Sequence, residues 1–532
     1  MLKSSIWNPF KVALILAIGL IIGAFLKPAG TSSSFSLEPR KDKIDEIISY
    51  IENDYVDEVD ADSLLDETLA DLLKSLDPHS SYIPASQLKG VKENIQGAFE
   101  GIGVEFSIQN DTIMVVSAIS GGPSEALGIQ SGDRIVSVDG ENVAGIGIKN
   151  SDVIEKLRGA AGSTVDVEIY RPLLGEVLDF TIKRGKIPIY SVDVSYMLDG
   201  STGFIKVNRF SSQTYLEFER ALSELKSKGM QSLILDLRGN PGGLLSVCVS
   251  MADDFLKKDE LILFTEGHSR ERTEYRATQR GRFESGELVV LIDEGSASAS
   301  EIIAGAVQDN DRGLIIGRRS FGKGLVQEPI YMKDGSAIHL TTARYYTPSG
   351  RSIQRDYADG ADAYYDDVLD RYEQGELFQE DSIQVPDSLT FKTKEGRTVY
   401  GGGGIMPDIF IPLDTNFRNN WYYRLYASGV IRDFAFSYAD QNRQKLKEMG
   451  LDKFLNQYSE DKLIAAFEQR LREERIAALP GEKEQAIERV KVDLKALIAR
   501  QIWNNIGWYK QHNKVDKVVQ EALMQVQKNK GT

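Results

Sequence analysis

Between residues 187 and 412, short apolar runs alternate with stretches of helical spacing, and this constrains the fold more tightly than any other feature of the chain. Phe204 to Val207 leads into a helical pattern over Leu216 to Lys228, and Leu233 to Leu237 into one near Leu244 to Leu256. Leu288 to Ile292 leads into a third from Ser300 to Gln308, with Leu314 to Ile316 as the next strand. Continuous apolar strands must be covered on both faces, so strands each followed by a helix predict an α/β layer fold.

Other parts of the chain carry other periods. Ile44, Ile47, Ile48 and Ile51, then Leu64, Leu65, Leu69, Leu72 and Leu73, predict two amphipathic helices over 41–76, ended by Leu76-Asp-Pro-His-Ser-Ser. From about 92 to 185, strands at Gly103 to Ile108, Thr112 to Ser117, Arg134 to Val138 and Val165 to Tyr170 predict a small β-rich domain, with helical stretches at Ser124 to Leu127 and Ser151 to Leu157. Residues 356–395, acidic and Tyr-rich, read as a surface insertion. Beyond 417 only helical spacing recurs, as in Ile487, Val490, Leu494, Leu497 and Ile498. The expected domains are 1–36, a signal or anchor with its linker; 37–91, helical; 92–185, β-rich; 186–414, the α/β layer; and 415–532, all-helical.

A chain of 532 residues with 42% hydrophobic and 27% charged side chains is a multidomain globular protein. Its net charge of −16 argues against a nucleic-acid partner, although residues 417–532 carry 21 basic and 15 acidic side chains. The single cysteine, Cys248, excludes an internal disulfide and a Cys-based zinc cluster. Four histidines, His79, His268, His339 and His512, leave little material for a metal site, so neither metal nor cofactor is expected. Lys3 and Lys11, with no acid between them, precede the apolar run Val12 to Leu26, which reads as an export segment. Cleavage and retention as a membrane anchor through residues 12–26 are both open. The remainder is expected outside the cytoplasm, in a bacterial periplasm or cell envelope.

Three constellations carry candidate chemistry. The strand Leu233 to Leu237 enters Arg238-Gly-Asn-Pro-Gly-Gly243, where glycines let backbone amides approach a ligand, or simply turn the chain. Leu288 to Ile292 enters Asp293-Glu-Gly-Ser-Ala-Ser-Ala-Ser-Glu301, which sets hydroxyls at a helix N-terminus, as nucleophile or as cap. Leu314 to Ile316 enters Arg318-Arg-Ser-Phe-Gly-Lys-Gly-Leu-Val-Gln327, where Lys323 becomes a base only if burial lowers its pKa. Gln327 reaches it only if the chain curls, since four extended residues span about 13 Å. No histidine lies between His268 and His339, so a lysine base is a simpler assumption than a Ser-His-Asp triad. Ser320 to Lys323 also reads S-x-x-K and makes Ser320 a rival nucleophile, whereas Ser223 to Lys226 lies in a polar helix and lacks partner motifs.

Gly-Ser-Ala-Ser-Ala-Ser-Glu-Ile followed by Phe-Gly-Lys-Gly-x-Val-Gln resembles the signature of the carboxyl-terminal processing peptidases, or tail-specific proteases. Thr347-Pro-Ser-Gly-Arg-Ser-Ile-Gln354 and Gly401 to Asp408 resemble further family motifs, so the likeness covers about residues 41–412. The resemblance implies Ser298 as nucleophile, Lys323 as its base 25 residues later, Gln327 as the lysine's orienting residue, and the amides of Gly243 and Ala299 as the oxyanion hole. It also implies a core with the fold shared by ClpP and crotonase. Gly101-Ile-Gly-Val104 and Gly128-Ile-Gln-Ser-Gly-Asp-Arg-Ile-Val-Ser-Val-Asp-Gly140 resemble a PDZ module, with Gly101, Ile102, Gly103 and Val104 as the cradle for a peptide's carboxylate. The expected partners are therefore polypeptides with free, apolar C-termini. An adaptor and self-association stay open. A peptide-binding scaffold with an idle dyad, and acyl-thioester chemistry on the same fold, are the rival functions.

Overall fold

The structure, a computed structural model, describes residues 38–530 apart from Leu173, Arg280 and 384–386. It divides into two units, residues 1–69 and 70–532. In the first, the described residues form the helix Glu38–Asp54 and most of the helix Ala61–Lys74. The expected export segment lies outside the described residues, among which no helix is long and apolar enough to cross a membrane.

The second unit is built on a six-stranded sheet in the order Val192–Met197, Thr202–Val207, Ser232–Asp236, Glu287–Ile292, Leu314–Gly317 and Ile409–Phe410. The first pair is antiparallel and the others are parallel, in register Lys206↔Asp236, Leu235↔Val290 and Leu291↔Ile316. Successive side chains enter opposite cores. Leu233, Leu235, Val290 and Ile292 pack with the helices Thr214–Ser227, Leu245–Asp253 and Ala299–Asp309. Ile234, Val289, Leu291 and Ile316 pack on the other face against Val518, Val519, Ala522 and Val526 of the helix Lys517–Lys530. The tail is all-helical, as expected, but it is not one body. Trp421, Leu425, Phe454, Phe467, Val490 and Leu494 form its own core, while its last helix supplies the cover that one apolar face of the sheet requires.

A second, antiparallel sheet joins Ser81–Ile83, Ala337–Tyr346, Leu261–Gly267 and Arg270–Arg276, with Leu325–Tyr331 also on Ala337–Tyr346. The β-rich domain runs Val104–Gln109, Thr112–Ala118, Arg134–Val138, Thr164–Arg171, Glu176–Lys183 around Ile113, Val115, Ile135, Val167 and Ile169. Its first strand pairs on one side only.

Residues 356–395 are mostly exposed, as expected of a surface insertion, but they are also tied to the core. They contain the helix Ala361–Glu373, whose Tyr364 and Arg371 are buried. The Arg371 guanidinium donates to the carbonyls of Arg319 (2.7 Å) and Ser320 (3.1 Å), and Glu376 holds both Arg319 and Arg371. Most acids and tyrosines of the segment face solvent, whereas Glu376 and Tyr364 serve as partners of buried groups.

Candidate active site

Three neighbouring parallel strands, Ser232–Asp236, Glu287–Ile292 and Leu314–Gly317, end in the three loops that carry the candidate residues. Ligands of open α/β sheets lie at this carboxyl end of the strands. The first two loops are packed too closely for side chains. A Cβ on Gly242 would stand 2.8 Å from Ser298 Cβ and 2.9 Å from the Ala299 nitrogen, and one on Gly243 would overlap the Phe210 carbonyl. The Asn240 carbonyl accepts the Ala297 amide (3.0 Å) and the Ser300 hydroxyl (3.0 Å), which locks one loop to the other. Among the described residues the amides of Gly243 and Ala299 meet no acceptor.

Ser298 is the turn between its strand and the eleven-residue helix Ala299–Asp309, with φ +53° and ψ −112°. A residue with a Cβ holds such a conformation only where its surroundings impose it. Here the imposing group is Glu301. Its buried carboxylate accepts the amides of Ser298 (2.8 Å) and Lys323 (2.9 Å) on one oxygen, and the Gly322 amide (2.7 Å) and Ser320 hydroxyl (2.5 Å) on the other. Tyr345 adds a second staple, its hydroxyl reaching the carbonyls of Lys323 (2.9 Å) and Ser298 (3.3 Å). Ser320 has no exposed surface and also accepts the Ile405 amide (2.6 Å), so its hydroxyl is committed to the scaffold.

Burial lowers the pKa of Lys323, against the opposing charges of Glu301 and Asp77. Burial pushes the Glu301 carboxyl up to about 7, although every hydrogen bond it makes is accepted and favours the anion. Two histidines, His79 and His339, lie within the field of Lys323. Burial and that positive charge lower His79 to about 3 and lower His339 as well. His79 Nε2 is 3.1 Å from the Tyr364 hydroxyl, which reaches the Gly322 carbonyl at 3.2 Å. Gln327 follows a register shift in its strand, and its amide nitrogen donates to Thr341 Oγ1 (3.1 Å), which donates to Asp77 (3.1 Å). Its tie to the Lys323 surroundings therefore runs through Asp77.

In the β-rich domain a groove of about 200 Å³ lies between the free edge of Val104–Gln109 and the helix Asn150–Leu157. Gly101, Ile102, Gly103 and Val104 line it together with Phe106 and Leu157. Gly103 has φ +80°, and a Cβ there would lie 2.9 Å from Ile187 Cδ1. The carbonyls of Ile102 and Gly103 are taken by Ser124 and Ile119, whereas the Gly103 amide meets no acceptor among the described residues.

The chain matches known proteins across these regions. A model of peptidase family S41 matches residues 201–360, a PDZ-domain model matches 114–171, and a family of unknown function matches 421–504. The carboxy-terminal-processing protease of Bartonella bacilliformis is 34% identical over 349 residues, covering 65% of this chain and 79% of that one. The carboxy-terminal processing protease CtpB of Bacillus subtilis is 35% identical over 331 residues, covering 62% and 68%. Among solved structures, a photosystem II D1 C-terminal processing protease aligns with 27% identity and a TM-score of 0.36, covering 70% of this chain and 86% of that one. With relatives matched over most of their own length, and family models falling on the site loops and on the β-rich domain, the chain belongs to the carboxy-terminal processing proteases, serine peptidases of family S41 that carry a PDZ domain.

Proposed function

We propose that Ser298 is the nucleophile and neutral Lys323 its general base, on a ClpP/crotonase-like core, in an exported endopeptidase that takes polypeptides by their free C-termini. The observation that carries this reading is the single Glu301 oxygen accepting the amides of both residues, which registers one loop against the other. Ser298 Oγ bonds to the scissile carbonyl carbon as its proton passes to Lys323 Nζ. The displaced electron pair moves onto the carbonyl oxygen, which is met by the amides of Gly243 and Ala299. Collapse breaks the C–N bond, and Lys323 returns the proton to the leaving amine. Water, deprotonated by Lys323, then releases the acyl group and restores Ser298. Gln327 acts at one remove, through Thr341 and Asp77.

The substrate's carboxylate lies against Gly101 to Val104, and its last residues add a strand to the free edge of Val104–Gln109. Export through residues 12–26 would set this chemistry on polypeptides outside the cytoplasm. The test is mass spectrometry of a flexible protein with an apolar C-terminus after incubation with the protein and with Ser298→Ala, Lys323→Ala and Ser320→Ala. Fragments are expected from the unmutated protein and from Ser320→Ala only. Binding without fragments from any of them would favour a scaffold, and cleavage by Ser298→Ala would sink the nucleophile.

A further inference from the structure

Arg238 opens the loop that ends in Gly243, and every polar group it has is held. Its amide donates to Asp236 Oδ1 (3.0 Å) and its carbonyl accepts the Lys206 ammonium. Its guanidinium spans two carboxylates: Nε and Nη2 donate to Asp236 (3.0 and 2.6 Å), and Nη1 to both oxygens of Asp516 (3.1 and 2.9 Å). Lys206 and Asp236 are register partners within the sheet, but Asp516 lies 278 residues beyond Arg238 in the chain. It stands directly before the helix Lys517–Lys530 and caps it, accepting the amides of Val518 (3.0 Å) and Val519 (3.2 Å). The side chains of Asp236 and Asp516 are only 2% and 9% exposed and that of Arg238 18%, so a lost ion pair here is costly. From this anchor the loop is built forward: the Asn240 amide donates to the Leu237 carbonyl (3.2 Å), and Asn240 Oδ1 accepts the Gly242 amide (2.9 Å), one residue before Gly243.

We infer that Asp516 is a positioning residue for the oxyanion side of the site: through Arg238, the start of the last helix fixes where the Gly243 amide stands. This rests on the proposed roles of Ser298, Lys323 and Gly243. It makes the carboxyl-terminal helix part of the apparatus that stabilises the tetrahedral intermediate.

The test compares Asp516→Ser with the unmutated enzyme and with Ser298→Ala on one peptide substrate. Serine keeps the helix cap but is too short to reach Arg238. A ten-fold or greater fall in kcat at unchanged KM is expected. Affinity for a peptide boronic acid, whose tetrahedral adduct occupies the oxyanion position, should fall by a similar factor. A merely structural role would not split these quantities. If Asp516→Ser fails to fold, Asp516→Asn, which preserves shape and cap, is expected to show the same split with a smaller loss. In an Arg238→Lys background, Asp516→Ser should cost no more, because the contact it removes is already broken. Unchanged kcat and boronate affinity in both Asp516 variants, with Ser298→Ala inactive, would overturn the inference while leaving the site reading intact. Activity in Ser298→Ala would overturn the reading itself, and the inference with it.

Discussion

Lys323 can accept a proton only while neutral, and its neighbours pull in opposite directions. Burial lowers its pKa, while the Glu301 and Asp77 anions raise it. The enzyme's kcat/KM is therefore expected to rise with pH along a limb set below the lysine's ordinary 10.5. Glu301→Gln removes one anion that holds the proton on Lys323, so the limb should move to lower pH. Its plateau should fall as well, because an amide offers one acceptor oxygen to donors that now share two. Kinetics across the pH range check both, and a limb moving to higher pH would contradict the assignment of Lys323 as base. Lys323→Arg is expected to lose at least ~10³-fold in kcat, since a guanidinium keeps its proton at any usable pH. His79 gives the acid side of the stability profile. Its folded pKa, about 3, lies below the unfolded 6.5, so the stability it contributes is present above 6.5 and is lost as pH falls towards 3. In His79→Gln that loss should be smaller, by up to about 1.4 kcal/mol per pH unit, in urea unfolding between pH 6 and pH 4.

Among elements, the decisive contacts are between loops, and glycine makes them possible. Gly242→Ala should cost kcat at least ~100-fold, because the new methyl would stand 2.8 Å from Ser298 Cβ at a φ of +98°. The core beneath is untouched, so the thermal midpoint should drop only a few degrees; normal turnover in this variant would mean the loops are not in register as described. The same elements show what the sequence made legible. The central strands could be read because both faces are buried, so every residue of Ser232–Asp236 is withdrawn from water and the run is apolar except at its ends. The second sheet could not, because Arg270–Arg276 is largely exposed and Leu325–Tyr331 passes from buried to exposed along its length, so neither keeps an apolar pattern. Ser298, Lys323 and Gly243 stand out through the small residues around them. Tyr345 does not, since its hydroxyl reaches a carbonyl 47 residues away and leaves no local trace. Glu301 closes the serine motif in the sequence, but its grip on the Lys323 amide, 22 residues away, leaves no local trace.

At the scale of the molecule, the charge shift near residue 417 suggests an appendage, yet the two ends of the tail behave differently. The stretch from Trp421 to Ala499 keeps its own core, whereas Val518, Val519, Ala522 and Val526 lie against Phe204, Ile234, Val289, Leu291 and Ile316. Removing that last helix would strip from one face of the sheet a cover it shares with Ile506 and Tyr509; the other face carries the helix Ala299–Asp309. Sheet and last helix should therefore unfold as one cooperative unit. Val519 has no exposed surface, so Val519→Asp sets an unpaired carboxylate in this layer and is expected to cost at least ~3 kcal/mol. Hydrogen exchange is the measurement that tells the two arrangements apart. In the variant, amides of Ser232–Asp236 and Glu287–Ile292 should lose protection together with those of Lys517–Lys530. If only the last helix loosened while both strands kept their protection, it would be a detachable cover. Asp516 would then hold Arg238 from an element the sheet does not need, and the loop ending in Gly243, proposed to hold the oxyanion, could be released without unfolding the sheet.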